Sequence, residues 1–422
     1  MTAARLTGPS TDAARPPSRP GGGGRWRRWT ARVAAGLITS LALTAPGPSL
    51  LARSQPATLA VPAEEVRLPG QPPRPKRAPP AAPVPSTLSL VPIWTATLPA
   101  PPSASPAFDV EQAYLPLRNG RVVAVSLADG ATRWSADRPV TIAPAAGEDM
   151  AFVASEGTIV ALAAKTGSTA WRMPLEGAAW LLYDTGSLVV CTEKGEVVAL
   201  RARDGSRLWQ HDSGAPVVQL PAVAGDRLFL SLKDGRVVAL ELRAGRPVWQ
   251  RPLGGPPERI LPLVDRVFVG SEDKYFYCLD ARNGEIKWRW RTGGQITGVP
   301  AVDEKRVFFL SLDNQLRALN RGNGSQVWRR SLPVRALAGP LRMGDLLLVS
   351  GISAEVRAYR PADGAAAGEV TAAGELVAPP HVVAAAGPIG ARLVVLTGAG
   401  HLQLLAPPPP TIPEWFPLIW WD

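Results

Sequence analysis

The chain has 422 residues and a formal charge of +11, unevenly placed along it. Residues 1–92 carry 12 basic and 3 acidic side chains, a net +9, whereas residues 93–422 carry 34 and 32, a net +2, so the longer part lacks the concentrated Lys and Arg of a nucleic-acid-binding face. Two cysteines exclude a disulfide framework, a Cys-based zinc module and an iron–sulfur cluster, and three histidines argue against a His-built metal centre.

Residues 1–52 begin with a Pro-, Gly- and Ser-rich basic stretch without periodicity. Arg25, Arg27, Arg28 and Arg32 then precede the apolar run VAAGLITSLALTA (33–45). A basic segment followed by a short apolar run predicts a secretory signal peptide. Retained, the same segment would be a signal anchor at the membrane surface, because Pro46-Gly47-Pro48 ends the run short of the ~20 residues a spanning helix needs. No cysteine follows, which excludes lipid attachment through a lipobox. Residues 53–92 form a proline-rich tether centred on PGQPPRPKRAPPAAPVP; proline fixes φ and removes a donor, keeping such a stretch extended. The expected location is periplasmic or otherwise extracytoplasmic.

From residue 93 the chain repeats. Trp94, Trp134, Trp171, Trp209, Trp249, Trp288 and Trp328 are separated by 40, 37, 38, 40, 39 and 40 residues. From Trp134 on each Trp ends a copy of one segment, such as GRVVAVSLADGATRW (120–134) or KYFYCLDARNGEIKW (274–288). A glycine marks the turn four residues before each Trp: Gly130, Gly167, Gly205, Gly245, Gly284 and Gly324. Gly364 holds the same place in the next copy, where Gly368 stands at the expected Trp position. Runs such as LFLSLKDGRVVAL alternate with period two about a polar turn, which reads as a β-hairpin, and the Asp/Asn-Gly turn starts a further strand. A Pro followed by apolar residues upstream (Pro106, Pro144, Pro221, Pro262, Pro300, Pro340) reads as an inner strand. Four strands per ~39 residues make one propeller blade.

The two ends complement each other. IWTATLP, around Trp94, is a Trp strand without a hairpin before it, and RLVVLTGAGHLQLLA (392–406) is a hairpin without a Trp strand after it. The expected fold is an all-β, eight-bladed β-propeller over 93–406, closed by pairing the N-terminal strand with the C-terminal hairpin, and monomeric.

The repeats YCLDARNGEIKW, VALRARDGSRLW and VALAAKTGSTAW resemble the pyrroloquinoline-quinone (PQQ) repeat over about three quarters of the chain. The resemblance implies that the Trp and Gly of each pair dock neighbouring blades. It does not by itself imply the cofactor, since quinoprotein dehydrogenases and non-enzymatic envelope propellers share the repeat. The dehydrogenases carry large insertions, a vicinal cysteine pair, a calcium site and a catalytic Asp. Here Cys191 and Cys278 lie far apart and the blades are nearly uniform in length, so the layout is closest to the BamB-like outer-membrane assembly proteins.

The implied role is a non-enzymatic cell-envelope scaffold with an envelope or outer-membrane protein partner. No catalytic residue, cofactor or metal is expected. A PQQ-dependent oxidoreductase stays open as an alternative, as does a periplasmic sensor ectodomain, which would need 33–52 to remain uncleaved. Charged hairpin turns at equivalent positions should gather on one face of the disc, making Glu272, Asp273, Lys274 and Asp313 candidates for partner contact. In the tail 407–422, PPPPTIPEWFPLIWWD, four prolines end the propeller and Trp415, Phe416, Trp420 and Trp421 follow. So much aromatic surface either folds back onto the propeller or anchors a partner or a membrane interface.

Overall fold

The computed structural model describes residues 87–336, 338–383 and 391–408. The signal segment, most of the tether and the tail aromatics Trp415, Phe416, Trp420 and Trp421 lie outside the described residues. Within them the chain forms eight four-stranded antiparallel sheets, the blades of a propeller. Blades 1 to 7 span residues 107–137, 145–174, 178–212, 222–252, 257–291, 296–331 and 341–371. Blade 8 takes its three inner strands from 381–406 and its outermost strand, Val91–Thr97, from the other end of the chain. The strands of each blade are lettered a, innermost, to d, outermost.

Burial follows from this stacking. Strands b and c are covered on both sides by neighbouring blades, so they are apolar throughout: Leu228, Phe229 and Leu230 of blade 4 are all at most 1% exposed. The alternation expected of LFLSLKDGRVVAL is therefore replaced by two-sided burial. Only the d strands alternate, and in Arg207–Asp212 Trp209 is the buried residue of a mostly exposed row. The core lies between blades: Val189 and Cys191 of blade 3 pack with Leu228 and Leu230 of blade 4.

The ring is shut by Val91–Thr97 pairing antiparallel with His401–Ala406, with Val91 opposite Ala406, Trp94 opposite Leu404 and Thr97 opposite His401. The packed chain starts earlier than the 92/93 boundary expected from composition. Leu88 is buried among Met343, Ala367 and Leu405, and its N–H donates to the Ala367 carbonyl at 2.6 Å. The last residues of the proline tether thus already belong to the propeller. Blade 3 also departs from the repeat: its inner strand, Ala178–Asp184, has no proline and uses Trp180, whose indole donates to the Val217 carbonyl of blade 4 at 2.9 Å.

Candidate functional site

The repeat residues form the joints of the ring. Each motif Trp sits on a d strand and lies against the c–d turn of the next blade. Its Nε1 donates to the carbonyl three residues before that turn's glycine: Trp134 to Ala164 at 2.6 Å, Trp171 to Ala202 at 2.7 Å, Trp209 to Leu242 at 2.9 Å. Trp249 donates to Ala281 at 3.0 Å, Trp288 to Arg321 at 3.3 Å and Trp328 to Pro361 at 3.0 Å. The indole stacks on Gly167, Gly205, Gly245, Gly284, Gly324 or Gly364 in turn, and Trp94 lies on Gly130 in the same way. A side chain is excluded there twice over, since Gly167 has φ +71° and a Cβ on it would come within 2.6 Å of the Trp134 ring.

The eighth joint lacks a tryptophan for a topological reason. A Trp on strand d of blade 7 would need a c–d turn in blade 8, and there the c and d strands come from opposite ends of the chain. Gly368 stands in that place with φ +104°, and Leu88 fills the space: a Cβ on Gly368 would meet the Leu88 carbonyl oxygen at 2.8 Å.

Composition and repeat reading missed a second element of the joints. Arg227, Arg266 and Arg306 open strand b in blades 4, 5 and 6. Each sends Nη1 to the carbonyl that already accepts the Trp of its own blade: Arg227 to Ala281 at 2.7 Å, Arg266 to Arg321 at 2.6 Å, Arg306 to Pro361 at 2.7 Å. The available signal was their spacing, 39 and 40 residues, which keeps the phase of the tryptophans.

The b–c turns come to one face of the disc together with the d–a loops, as Glu272 N–H donating to the Pro256 carbonyl at 3.0 Å illustrates. Glu156, Glu193, Lys194, Lys233, Glu272 and Lys274 are exposed there, in blades 2 to 5. Asp273 and Asp313 are on this face but are engaged in their own blades. Asp273 accepts from the Tyr277 hydroxyl at 2.5 Å and from Gly254 N–H at 3.1 Å. The Tyr277 pKa is pushed up to about 12, by burial first and by the Asp273 hydrogen bond second. Asp313 pairs with Arg317 at 2.5 Å, and Arg317 is itself buried. In blades 6 to 8 the same face adds apolar side chains, Leu312 40%, Ile352 63% and Val377 47% exposed, beside the exposed charges of Arg335 and Glu375.

The a strands surround a cavity of about 580 Å³. Its wall is mostly small and apolar, including Val299, Pro300, Ala338, Pro340, Pro379 and Pro380. Glu258 of blade 5 is bracketed by its neighbours: Gln219 of blade 4 donates to one carboxyl oxygen at 3.1 Å and Gln295 of blade 6 to the other at 2.9 Å. Burial raises the Glu258 pKa, and nearby Glu272 adds to the rise. Arg259, next in sequence, also lines the cavity; burial depresses its pKa, and among the described residues it has no hydrogen bond or ion pair.

Other reactive groups are dispersed. Cys191 and Cys278 are fully buried on blades 3 and 5. Burial raises both thiols, Cys278 up to about 11. His381 stacks on Phe108 at 3.9 Å, and His401 meets the Thr97 hydroxyl at 3.4 Å. Among the described residues no three His, Cys, Asp or Glu side chains group as metal ligands. Among the described residues the lining of the central cavity has no aromatic ring or thiol to cover a planar quinone.

The model of the family described as outer membrane protein assembly factor BamB matches residues 118–260 and 264–398. Among curated relatives, the outer membrane protein assembly factor BamB of Yersinia pestis is 32% identical over 72 residues, which is 17% of this chain and 18% of that protein's length. Among solved structures, BamB from Moraxella catarrhalis superposes with a TM-score of 0.63 at 18% identity, covering 75% of this chain and all (100%) of that one. Quinohemoprotein alcohol dehydrogenase ADHIIG from Pseudomonas putida HK5 gives 0.61 at 13% identity, covering 76% of this chain and 78% of that one. At such identities these structures share the fold.

Proposed function

The chain belongs to the family of outer membrane protein assembly factor BamB, and from that premise we propose that it is a non-enzymatic, extracytoplasmic scaffold that docks a protein of the outer-membrane assembly class. The docking surface is the b–c turn face. The observation that carries this reading is the mixture on that face of exposed charges, such as Glu272, Lys274 and Glu375, with exposed apolar side chains, Leu312, Ile352 and Val377. A mixed polar and apolar patch is the composition of protein interfaces, and short turns on a ring locked at every joint present it without rearrangement. The export signal of residues 33–45 and the tether of 53–86 would deliver the disc outside the cytoplasm and give it reach. The tail 407–422, with Trp415, Phe416, Trp420 and Trp421, is a second contact element in this reading.

Photo-crosslinkers placed at Glu272, Lys274 and Ile352 in the native host test it. Glu304, exposed at the opposite end of a blade 6 strand, is the control. The expected product is a defined crosslink to an outer-membrane assembly protein from the first three positions and none from Glu304. Crosslinks from Glu304 alone, or substrate-dependent dye reduction by the purified protein with PQQ and calcium, would overturn the proposal.

A further inference from the structure

We propose that the central cavity is a binding site for a small carboxylic acid with an apolar body, and that Arg259 is the residue that holds its carboxylate. Glu258 and Arg259 are consecutive on the inner strand of blade 5 and both line the cavity. Glu258 accepts from Gln219 and Gln295 of the blades on either side, at 3.1 and 2.9 Å, and acts on Arg259 only through its charge. Arg259 is a half-buried guanidinium without an acceptor among the described residues, facing about 580 Å³ of space. A guanidinium that the fold leaves unpaired at the wall of a cavity marks a place where a ligand supplies the counter-charge.

The chemistry of the walls narrows the ligand. A guanidinium offers two parallel N–H groups that match the two oxygens of a carboxylate. Val299, Pro300, Ala338 and Pro340 offer no donors or acceptors from their side chains, so the rest of the ligand is apolar. The second arginine in the lining, Arg342, already donates to the Val302 and Gly344 carbonyls at 3.2 and 2.7 Å, so one carboxylate is accommodated and a second is not. The volume is in the usual range for a small-molecule site. This inference does not depend on which protein meets the b–c turn face.

Isothermal titration of the purified full chain with hexanoate, and with hexanamide as the neutral control, tests the proposal. Saturable one-to-one binding of hexanoate, with none of the amide, is expected. Arg259→Gln should weaken hexanoate at least tenfold while its urea midpoint stays equal to or above that of the wild type. Arg259→Lys, which keeps the charge but not the planar fork, should lose several-fold, and Arg342→Gln should stay within twofold of the wild type. Hexanoate binding that is unchanged in Arg259→Gln, absent in the wild type, or displaced more readily by inorganic phosphate or PQQ would overturn the assignment.

Discussion

Arg227 and Trp249, on different strands of blade 4, donate to a single acceptor, the Ala281 carbonyl of blade 5, at 2.7 and 3.0 Å. A carbonyl has two lone pairs, and either donor alone keeps it satisfied. Removing the Trp249 donor should therefore cost about 1 kcal/mol, the net worth of one hydrogen bond, and removing Arg227, which also donates to the Arg282 carbonyl at 2.8 Å, about 2 kcal/mol. Removing both leaves a buried acceptor without a partner, which adds about 1–2 kcal/mol more. Arg227→Met and Trp249→Phe are expected to be worse together than the sum of the two. A double-mutant cycle on urea unfolding measures the excess; strict additivity would mean that the two donors are independent.

The glycine under each indole separates docking from backbone conformation. Gly167 and Gly225 both have positive φ, but a Cβ on Gly225 meets nothing within 4 Å, whereas on Gly167 it would collide with Trp134. Gly225→Ala should cost about 1 kcal/mol, the strain alone. Gly167→Ala should cost upward of about 3 kcal/mol, because the joint must open. Denaturant midpoints of the two variants decide it, and equal losses would remove the steric role assigned to the indole.

Repeat consensus and structure make opposite forecasts at Gly368. Restoring the missing repeat residue, Gly368→Trp, would be the consensus choice for stabilisation. The structure places Leu88 there, with its carbonyl 2.8 Å from where a Cβ would sit. The variant should lower the melting temperature and release the 87–90 segment to proteolysis. A higher melting temperature would show that Leu88 does not own the site.

The Glu258 carboxyl holds its proton to a higher pH in the folded protein than in the unfolded chain, because burial disfavours its charged form and Glu272 repels it. Its contribution is therefore full below the ordinary glutamate pKa and declines as pH rises through the raised folded value. The stability advantage of wild type over Glu258→Gln should shrink from pH 4 to pH 7. Urea midpoints of both proteins across that range test the sign, and a growing advantage would contradict it.

The ring was legible in the sequence because its joints are built from residue types that nothing else in the chain repeats. A tryptophan four residues after a turn glycine, renewed every 37 to 40 residues, gives the blade, and the unmatched ends give the closure. Arg227, Arg266 and Arg306 carry the same phase but hid among the many arginines of the chain, which look alike until their acceptors are known. Charge patterning located the face of Glu272 and Asp273 but could not tell which carboxylate was free, because the Asp273–Tyr277 bond depends on strand c turning its hydroxyl back to the turn. Leu312 and Ile352 gave no sign of exposure in the sequence, since apolar side chains in turns have no periodicity to mark them. The cavity was illegible for a related reason: Gln219, Glu258 and Gln295 are 39 and 37 residues apart, in three different blades, and meet only once those blades stand side by side.

The Gln403–Thr95 side-chain hydrogen bond spans 308 positions, and it belongs to the sheet that makes the ring complete. Translation delivers Val91–Thr97 before any other strand of the disc and His401–Ala406 after all the rest. The first strand must stay unpaired until His401–Ala406 has been made, with Val91 and Ile93 offering an open apolar edge throughout. Assembly of this molecule is therefore a wait governed by its longest-range contact. Whatever shields that strand during the wait sets the yield of native protein.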